Sequence, residues 1–300
     1  MWARLRAYAS FVRFSHSVFA LPFAFAGAVL AFRSAQPPMA AADVAWRVWW
    51  IVVAMVSARS AAMGFNRLAD ARLDALNPRT AGRELPRRVM SRHEATLFVV
   101  TASAVFVLAT SRLPPICFWL SPVALAIVFW YSLAKHVTTW TQLFLGLAMA
   151  VAPVGGWLAA GGAVDQWEPW LLGLAIAAWV GGFDVLYACQ DLEFDRAHGL
   201  RSIPVRFGVG TSLAISRGMH VVAVVSLASL AFAAAPGSLG PLYLAGVAVV
   251  AVLLVYEQSL VSASDLSQVK RAFDLNGYVG ILYLFVLIVS LYGPWNAGPR

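Results

Sequence analysis

Residues 64–86 read GFNRLADARLDALNPRTAGRELP and follow directly on a long apolar run. Asn66, Asp70 and Asp74 recur there every fourth residue. On a helix that spacing stacks the three side chains on one face, a turn apart. Packing does not require this, and carboxylates at the end of a membrane helix are expensive. A second group of the same design comes much later: Asp184, Asp191 and Asp195 within GGFDVLYACQDLEFDRAHGLRSIP. Spacings of seven and four predict that these also share one helix face. Only 14 of 300 residues are acidic, and five of them sit in these two groups, which marks the groups as the place to look for chemistry.

The surrounding chain sets the solvent. It is 61% hydrophobic and 12% charged, with a mean hydropathy of +0.74. A soluble domain carries about a quarter charged residues. The composition therefore excludes a soluble enzyme and predicts a single transmembrane domain over residues 1–300. The net charge of +8 is read as basic cytoplasmic loops and not as nucleic-acid binding. Twelve Trp suit interfacial belts. Cys117 and Cys189 both fall in apolar runs and predict no disulfide. The basic, amphipathic N-terminus lacks a small-residue cleavage site and is read as a cytoplasmic lead-in.

Spanning a bilayer takes about 20 residues of helix. Nine runs qualify: 15–33, 44–65, 95–111, 114–133, 140–160, 169–190, 211–233, 238–257 and 277–293. The expected fold class is an all-α integral membrane protein, with about nine transmembrane helices around a central cavity that opens to the cytoplasmic side. Arg67, Arg72, Arg79, Arg83, Arg87, Arg88 and Arg92 crowd the link after the second run. Lys135, then Arg196, Arg201 and Arg206, then Lys270 and Arg271 follow the fourth, sixth and eighth. The links 34–43, 161–168 and 234–240 hold no Lys or Arg. The positive-inside rule then predicts an inner-membrane protein with even-numbered helices ending in the cytoplasm and both acidic groups on that side. It also accounts for most of Arg79, Arg83, Arg87 and Arg88. Asp265 and Asp274 are read as solvated charge, Cys189 as a small buried side chain, and the Gly pairs 155–156, 161–162 and 181–182 as close helix approaches. Each acidic group is followed by a basic loop with Arg and Pro, NPRTAGRELP and RAHGLRSIP, which points to an internal repeat.

Paired carboxylates facing across a cavity make a hard oxygen site of the kind Mg²⁺ prefers, usually with waters and substrate phosphates completing the shell. Carboxylates, Mg²⁺ and Arg/Lys together describe a diphosphate clamp. A membrane setting predicts a polyisoprenoid tail on that diphosphate. A cation- or proton-coupled transporter with buried aspartates is the alternative of another class; its sites typically lie at broken helices near the bilayer midplane. A phosphatidyl-alcohol transferase is a third reading, but its longer Asp-Gly motif is not found.

The two motifs, with NPRTAGRELP, Tyr131-Ser-Leu-Ala-Lys135 and the run around Phe19-Ala-Leu-Pro22, resemble the UbiA superfamily of intramembrane prenyltransferases. The similarity covers nearly the whole chain and is nearest to quinone-pathway members of the 4-hydroxybenzoate polyprenyltransferase type. Many members carry Asp directly after the motif Asn, where this chain has Arg67. The resemblance implies Mg²⁺-dependent transfer of a polyprenyl group from its diphosphate to the carbon ortho to the hydroxyl of an aromatic acid. That acid is 4-hydroxybenzoate, as in ubiquinone biosynthesis, or a naphthoate acid, as in menaquinone biosynthesis. It implies Asn66, Asp70 and Asp74 on one Mg²⁺, and Asp191 and Asp195 on a second. Arg72, Lys135 and Arg201 are then the phosphate contacts. Asp184 and Tyr187 orient the acceptor or the first isoprene unit, and Arg13 and His16 take the acceptor carboxylate.

Overall fold

The computed structural model describes Tyr8, residues 10–12, 14–234 and 239–293, with backbone only at 14–19. Nine long helices account for most of it: α1 Phe14–Ser34, α2 Ala41–Leu76, α3 Arg92–Thr110, α4 Pro115–Val137, α5 Thr141–Ala159, α6 Glu168–Ala188, α8 Ile203–Ala233, α9 Pro241–Ser259 and α10 Val269–Tyr292. The short α7, Leu192–Ala197, lies between α6 and α8. Eight of the helical segments are long and apolar enough to cross a bilayer, and residues 20–34 of α1 are apolar as well. No strand is present among the described residues.

The apolar runs find the helices and most of their ends within a few residues, but the end of α2 and the starts of α8 and α10 lie well away from the expected limits. Helix α2 continues eleven residues past the expected limit at 65, carrying the entire first motif beyond the apolar run. Hydropathy marks where the bilayer ends; the helix continues because nothing in RLADARLDAL breaks it. It stops at Asn77-Pro78, where the residue before proline is pushed out of the helical region (Asn77 φ −89°, ψ 118°). Helix α10 starts eight residues before the expected 277, so Asp274 sits inside it and pairs with Lys270 one turn earlier at 3.3 Å. Helix α8 starts at Ile203 and not at 211; it bends at Gly208, whose positive φ of 75° suits glycine alone. Asp265 is solvent-exposed as expected, and the Ser267 N–H bonds to its carboxyl and holds it below the usual carboxylate range.

Two stretches of small residues draw helices together. A Cβ on Gly156 (α5) would collide with the Ala24 carbonyl oxygen of α1, and one on Gly27 (α1) with the Pro153 carbonyl oxygen of α5. The core then closes around Trp157, Trp179, Phe23 and Leu172, all fully buried. Lipid supplies no hydrophobic force between helices, so packing and interhelical hydrogen bonds hold them. Trp179 Nε1–H donates to Asn276 Oδ1 at 2.6 Å, joining α6 to α10. Ser216 of α8 donates to the Gly182 carbonyl at 2.7 Å, and Gln258 of α9 donates to Ser216 Oγ at 2.7 Å. This network fixes α6, the helix that leads to the second acidic group. Trp46, Trp49, Trp119 and Trp167 lie exposed on the outer surface.

Replacing Gly156 with Leu should drive α5 off α1 and cost about 1–3 kcal/mol or more. Gly155→Ala, where nothing lies within 4 Å of an added Cβ, should be neutral. Melting curves of the detergent-solubilised protein check this; equal midpoints for both variants would refute the close approach.

Candidate active site

The end of α2 is turned back by its own sequence. Asn77 Oδ1 accepts the Arg79 N–H at 2.9 Å, and the Asn77 carbonyl accepts the N–H groups of Thr80 and Ala81 at 2.9 and 2.8 Å. The Thr80 hydroxyl donates to the Asp74 carbonyl at 3.1 Å. These Asx-type bonds fold the loop over the helix end. The loop thereby delivers two guanidinium groups in opposite directions.

Arg83 doubles back to Asp74 of its own helix; its Nη1 reaches Oδ1 at 2.6 Å and Oδ2 at 2.8 Å. Arg79 crosses to the other acidic group. Its Nη2 and Nε donate to the two oxygens of Asp191 at 2.6 and 3.2 Å, and its Nη1 donates to the Tyr187 hydroxyl at 2.9 Å. The guanidinium also lies 5.5 Å from the centre of the Tyr187 ring. A third cation closes the set: Lys135 Nζ of α4 lies 2.6 Å from Asp70 Oδ1. Asn66 Nδ2 reaches Ser132 Oγ of α4 at 3.4 Å. Asp195 lies in the fields of Asp191, Lys135, Arg79 and Asp70. The two acidic groups, more than 100 residues apart in sequence, therefore share one end of the bundle and one set of cations.

The second group is not a single helix face. Helix α6 ends at Ala188, a 3₁₀ turn covers Cys189–Asp191, and α7 starts at Leu192. Tight turns of this kind are frequent at helix ends, and with three residues per turn this one shifts the helical phase between Asp184 and Asp195. Helix α7 ends in a Schellman arrangement. Leu200 N–H donates to the Asp195 carbonyl at 2.9 Å, with Gly199 at φ 66° supplying the left-handed residue.

Two of the expected phosphate contacts lie elsewhere. Arg72 is exposed; two residues on from Asp70 puts it about 200° round the helix, on the far side from the acidic face. Arg201 caps α4: its Nη1 donates to the Val137 carbonyl at 2.6 Å, and its N–H donates to the Lys135 carbonyl at 2.8 Å. It holds the helix end that carries Lys135. Asp184 is half-buried deeper on α6, in the fields of Asp191 and Asp195. The Tyr187 ring packs tilted against that of Phe273, centroids 4.8 Å apart, as well as meeting Arg79. Arg67, at the position of the family difference, is buried with Nε toward the Phe11 carbonyl at 3.4 Å, and so faces the N-terminal segment. Arg13 and the His16 side chain lie outside the described residues.

Sequence reasoning missed Arg79 and Arg83 as site residues by assigning them to topology. Both lie in the NPRTAGRELP stretch that carries the family resemblance, but the spacing alone does not say which acid each guanidinium reaches; the fold of the loop does. It also passed over Arg59. That residue lies seven positions before Asn66 on the same face of α2, half-buried, and its charge acts on Tyr131 of α4. Tyr131 in turn lies in the fields of Asp70 and Asp184, one turn before Lys135 on α4. The signal available was a charged residue inside an apolar run.

The donor set fits a divalent cation. Four carboxylates and the Asn66 amide offer hard oxygen ligands from two helices, offset by three cations. Among the described residues no three such groups close into one coordination shell. Mg²⁺ does not require that, since one or two carboxylates per ion suffice when phosphates complete the shell. Away from the acids, an apolar cavity of about 520 Å³ opens among α2, α4, α5 and α6, lined by Met55, Ala58, Phe106, Val128, Leu147 and Leu174 among others.

A profile of the UbiA prenyltransferase family matches residues 20–289. The chain is 31% identical to the 4-hydroxybenzoate octaprenyltransferase of Vibrio campbellii over 249 residues, covering 82% of this chain and 86% of that one. It is likewise 31% identical to that of Citrobacter koseri over 270 residues, with 83% and 89% covered. The fold superposes on the apo structure of a UbiA homolog from Aeropyrum pernix K1 with a TM-score of 0.80 at 35% identity, covering 92% of this chain and 98% of that one. A UbiA homolog from Archaeoglobus fulgidus bound to GPP and Mg²⁺ shares the fold with a TM-score of 0.70 at 18% identity, over 94% and 99% of the two chains. The chain belongs to the UbiA prenyltransferase family, as a multi-pass membrane prenyltransferase.

Proposed function

We propose that the protein transfers a polyprenyl group from its diphosphate to the ring carbon ortho to the hydroxyl of 4-hydroxybenzoate, with Mg²⁺, at the cytoplasmic face of the inner membrane. The observation that carries this is the Arg79 bridge to Asp191 and Tyr187, which brings the second acidic group to the loop that closes the first. A diphosphate needs that combination of carboxylates and cations in one place. The acceptor follows from relatives named for 4-hydroxybenzoate along most of this chain. The basic links beside both acidic groups support the orientation.

Asp70 and Asp74, with Asn66, would hold one ion, and Asp191 and Asp195 a second. Mg²⁺, when bound, draws electron density from the diphosphate and makes it a better leaving group. The chain's own residues do the rest. Lys135, one turn after Tyr131 on α4, faces the space between the two groups and offers an ammonium to departing phosphate oxygens. The allylic C–O bond breaks with its electron pair going to the diphosphate. The acceptor ring then forms the new C–C bond and passes its ortho proton to an oxygen of the released diphosphate or of a neighbouring carboxylate. The Tyr187 ring, over which a guanidinium already lies, offers an aromatic face beside Asp191 where a developing allylic cation is stabilised. Packed apolar helices keep water from that cation. The apolar cavity, lying in the half of the bundle away from the carboxylates, suits the prenyl tail.

Replacing Asp70 or Asp191 with Ala should leave an inserted, folded protein whose turnover falls by roughly a hundredfold or more. Near-normal turnover in either variant would place the site elsewhere. Membranes containing the protein, given radiolabelled 4-hydroxybenzoate and a polyprenyl diphosphate, should turn the label lipid-extractable. EDTA should stop this and Mg²⁺ restore it. Label entering lipid only from a hydroxynaphthoate would reassign the acceptor, and indifference to EDTA would remove the metal.

A further inference from the structure

We infer that Arg79 is a built-in counter-ion for Asp191 that a divalent cation must displace, so that the protein takes up its metal together with a diphosphate and resists it alone. The inference rests on the metal–diphosphate reading above and adds a role for a loop residue. Both oxygens of Asp191 are engaged by one guanidinium, at 2.6 and 3.2 Å. A divalent ion approaching Asp191 therefore meets a carboxylate already neutralised and a positive charge beside it. The same holds at Asp70 and Asp74, but those pairs are more buried. The side chains of Lys135 and Asp70 are 24% and 8% exposed, and those of Arg83 and Asp74 19% and 8%. Arg79 is 38% exposed and comes from a loop, so among the three cations it is the one freest to leave. A pair this open to solvent is screened, so its cation can be exchanged for another partner.

A diphosphate changes the balance. It carries the negative charge that lets a metal sit between carboxylates and phosphate, and it gives a released guanidinium a new forked partner. Metal and diphosphate then each favour the other's binding, and by linkage the coupling is reciprocal. Tyr187 takes part because its hydroxyl and ring hold Arg79 on Asp191, at 2.9 and 5.5 Å. A residue that merely stapled the loop would act in the opposite sense, since its loss would loosen the site and weaken metal binding.

The test is Mn²⁺ binding to the purified full-length protein, read by the electron paramagnetic resonance of free Mn²⁺. Titrations are run with and without inorganic diphosphate, and protein-free titrations correct for chelation in solution. The wild-type protein should bind Mn²⁺ at least about tenfold more tightly with diphosphate than without, a coupling within the usual range. Arg79→Gln should bind Mn²⁺ alone about tenfold more tightly than wild type and gain correspondingly less from diphosphate. Arg79→Lys keeps the charge but loses the fork and the Tyr187 contact; it should fall between the two and serves if the Gln variant does not fold. Equal or weaker binding of Mn²⁺ alone in these variants overturns the inference while leaving the proposed function standing. Wild-type protein that binds no Mn²⁺ under either condition overturns both.

Discussion

Carboxylates at the edge of a bilayer have to be neutralised, and how this chain neutralises them organises the whole molecule. Each of three acids has a cation within 2.6 Å: Lys135 for Asp70, Arg83 for Asp74 and Arg79 for Asp191. Those cations come from α4 and from the loop after α2. The acids come from α2 and from the turn after α6. Satisfying the charges therefore ties together elements that are remote in sequence. Leaving them unsatisfied in a low-dielectric surrounding is what the fold avoids.

The rest of the fold reads as support for that junction. Gly27 and Gly156 let α1 and α5 meet backbone to backbone. Bonds from Ser216, Gln258 and Asn276 fix α6 from behind. Asn77, Thr80 and Pro78 turn the loop, while Arg201 and Gly199 shape the second loop and brace the end of α4 against it. The acids and their cations gather at one end of the bundle, and the opposite half keeps an apolar cavity.

The helices were legible because long apolar runs have one solution in lipid. Ends beyond the apolar run were not, as α2 shows: hydropathy falls off near 65, yet the helix runs to Leu76 because no breaker occurs before Asn77-Pro78. The acidic residues stood out by their rarity and spacing. Their partners were harder to read. Arg72 looked close to Asp70 in sequence, but helical rotation carries it to the opposite side. Arg201 looked free, but the carbonyl of Val137 takes it. Arg79 and Arg83 were hidden in a cluster of arginines that topology alone explains, and their role depends on a loop conformation with no sequence period. The turn at Cys189–Asp191 was invisible for the same reason, since a spacing of seven and four also fits an unbroken helix.

The central claim is spatial: the loop after α2 and the turn after α6 meet at one end of the bundle. Cysteine cross-linking in native membranes with a bifunctional methanethiosulfonate reagent about as long as an arginine side chain tests it most directly, using Arg79→Cys with Asp191→Cys in a chain whose own Cys117 and Cys189 are replaced by Ser. The expected result is a rapid intramolecular cross-link, seen as a band shift reversed by reductant. A pair that does not cross-link, while a control pair of cysteines within α2 and α3 cross-links normally, would contradict it.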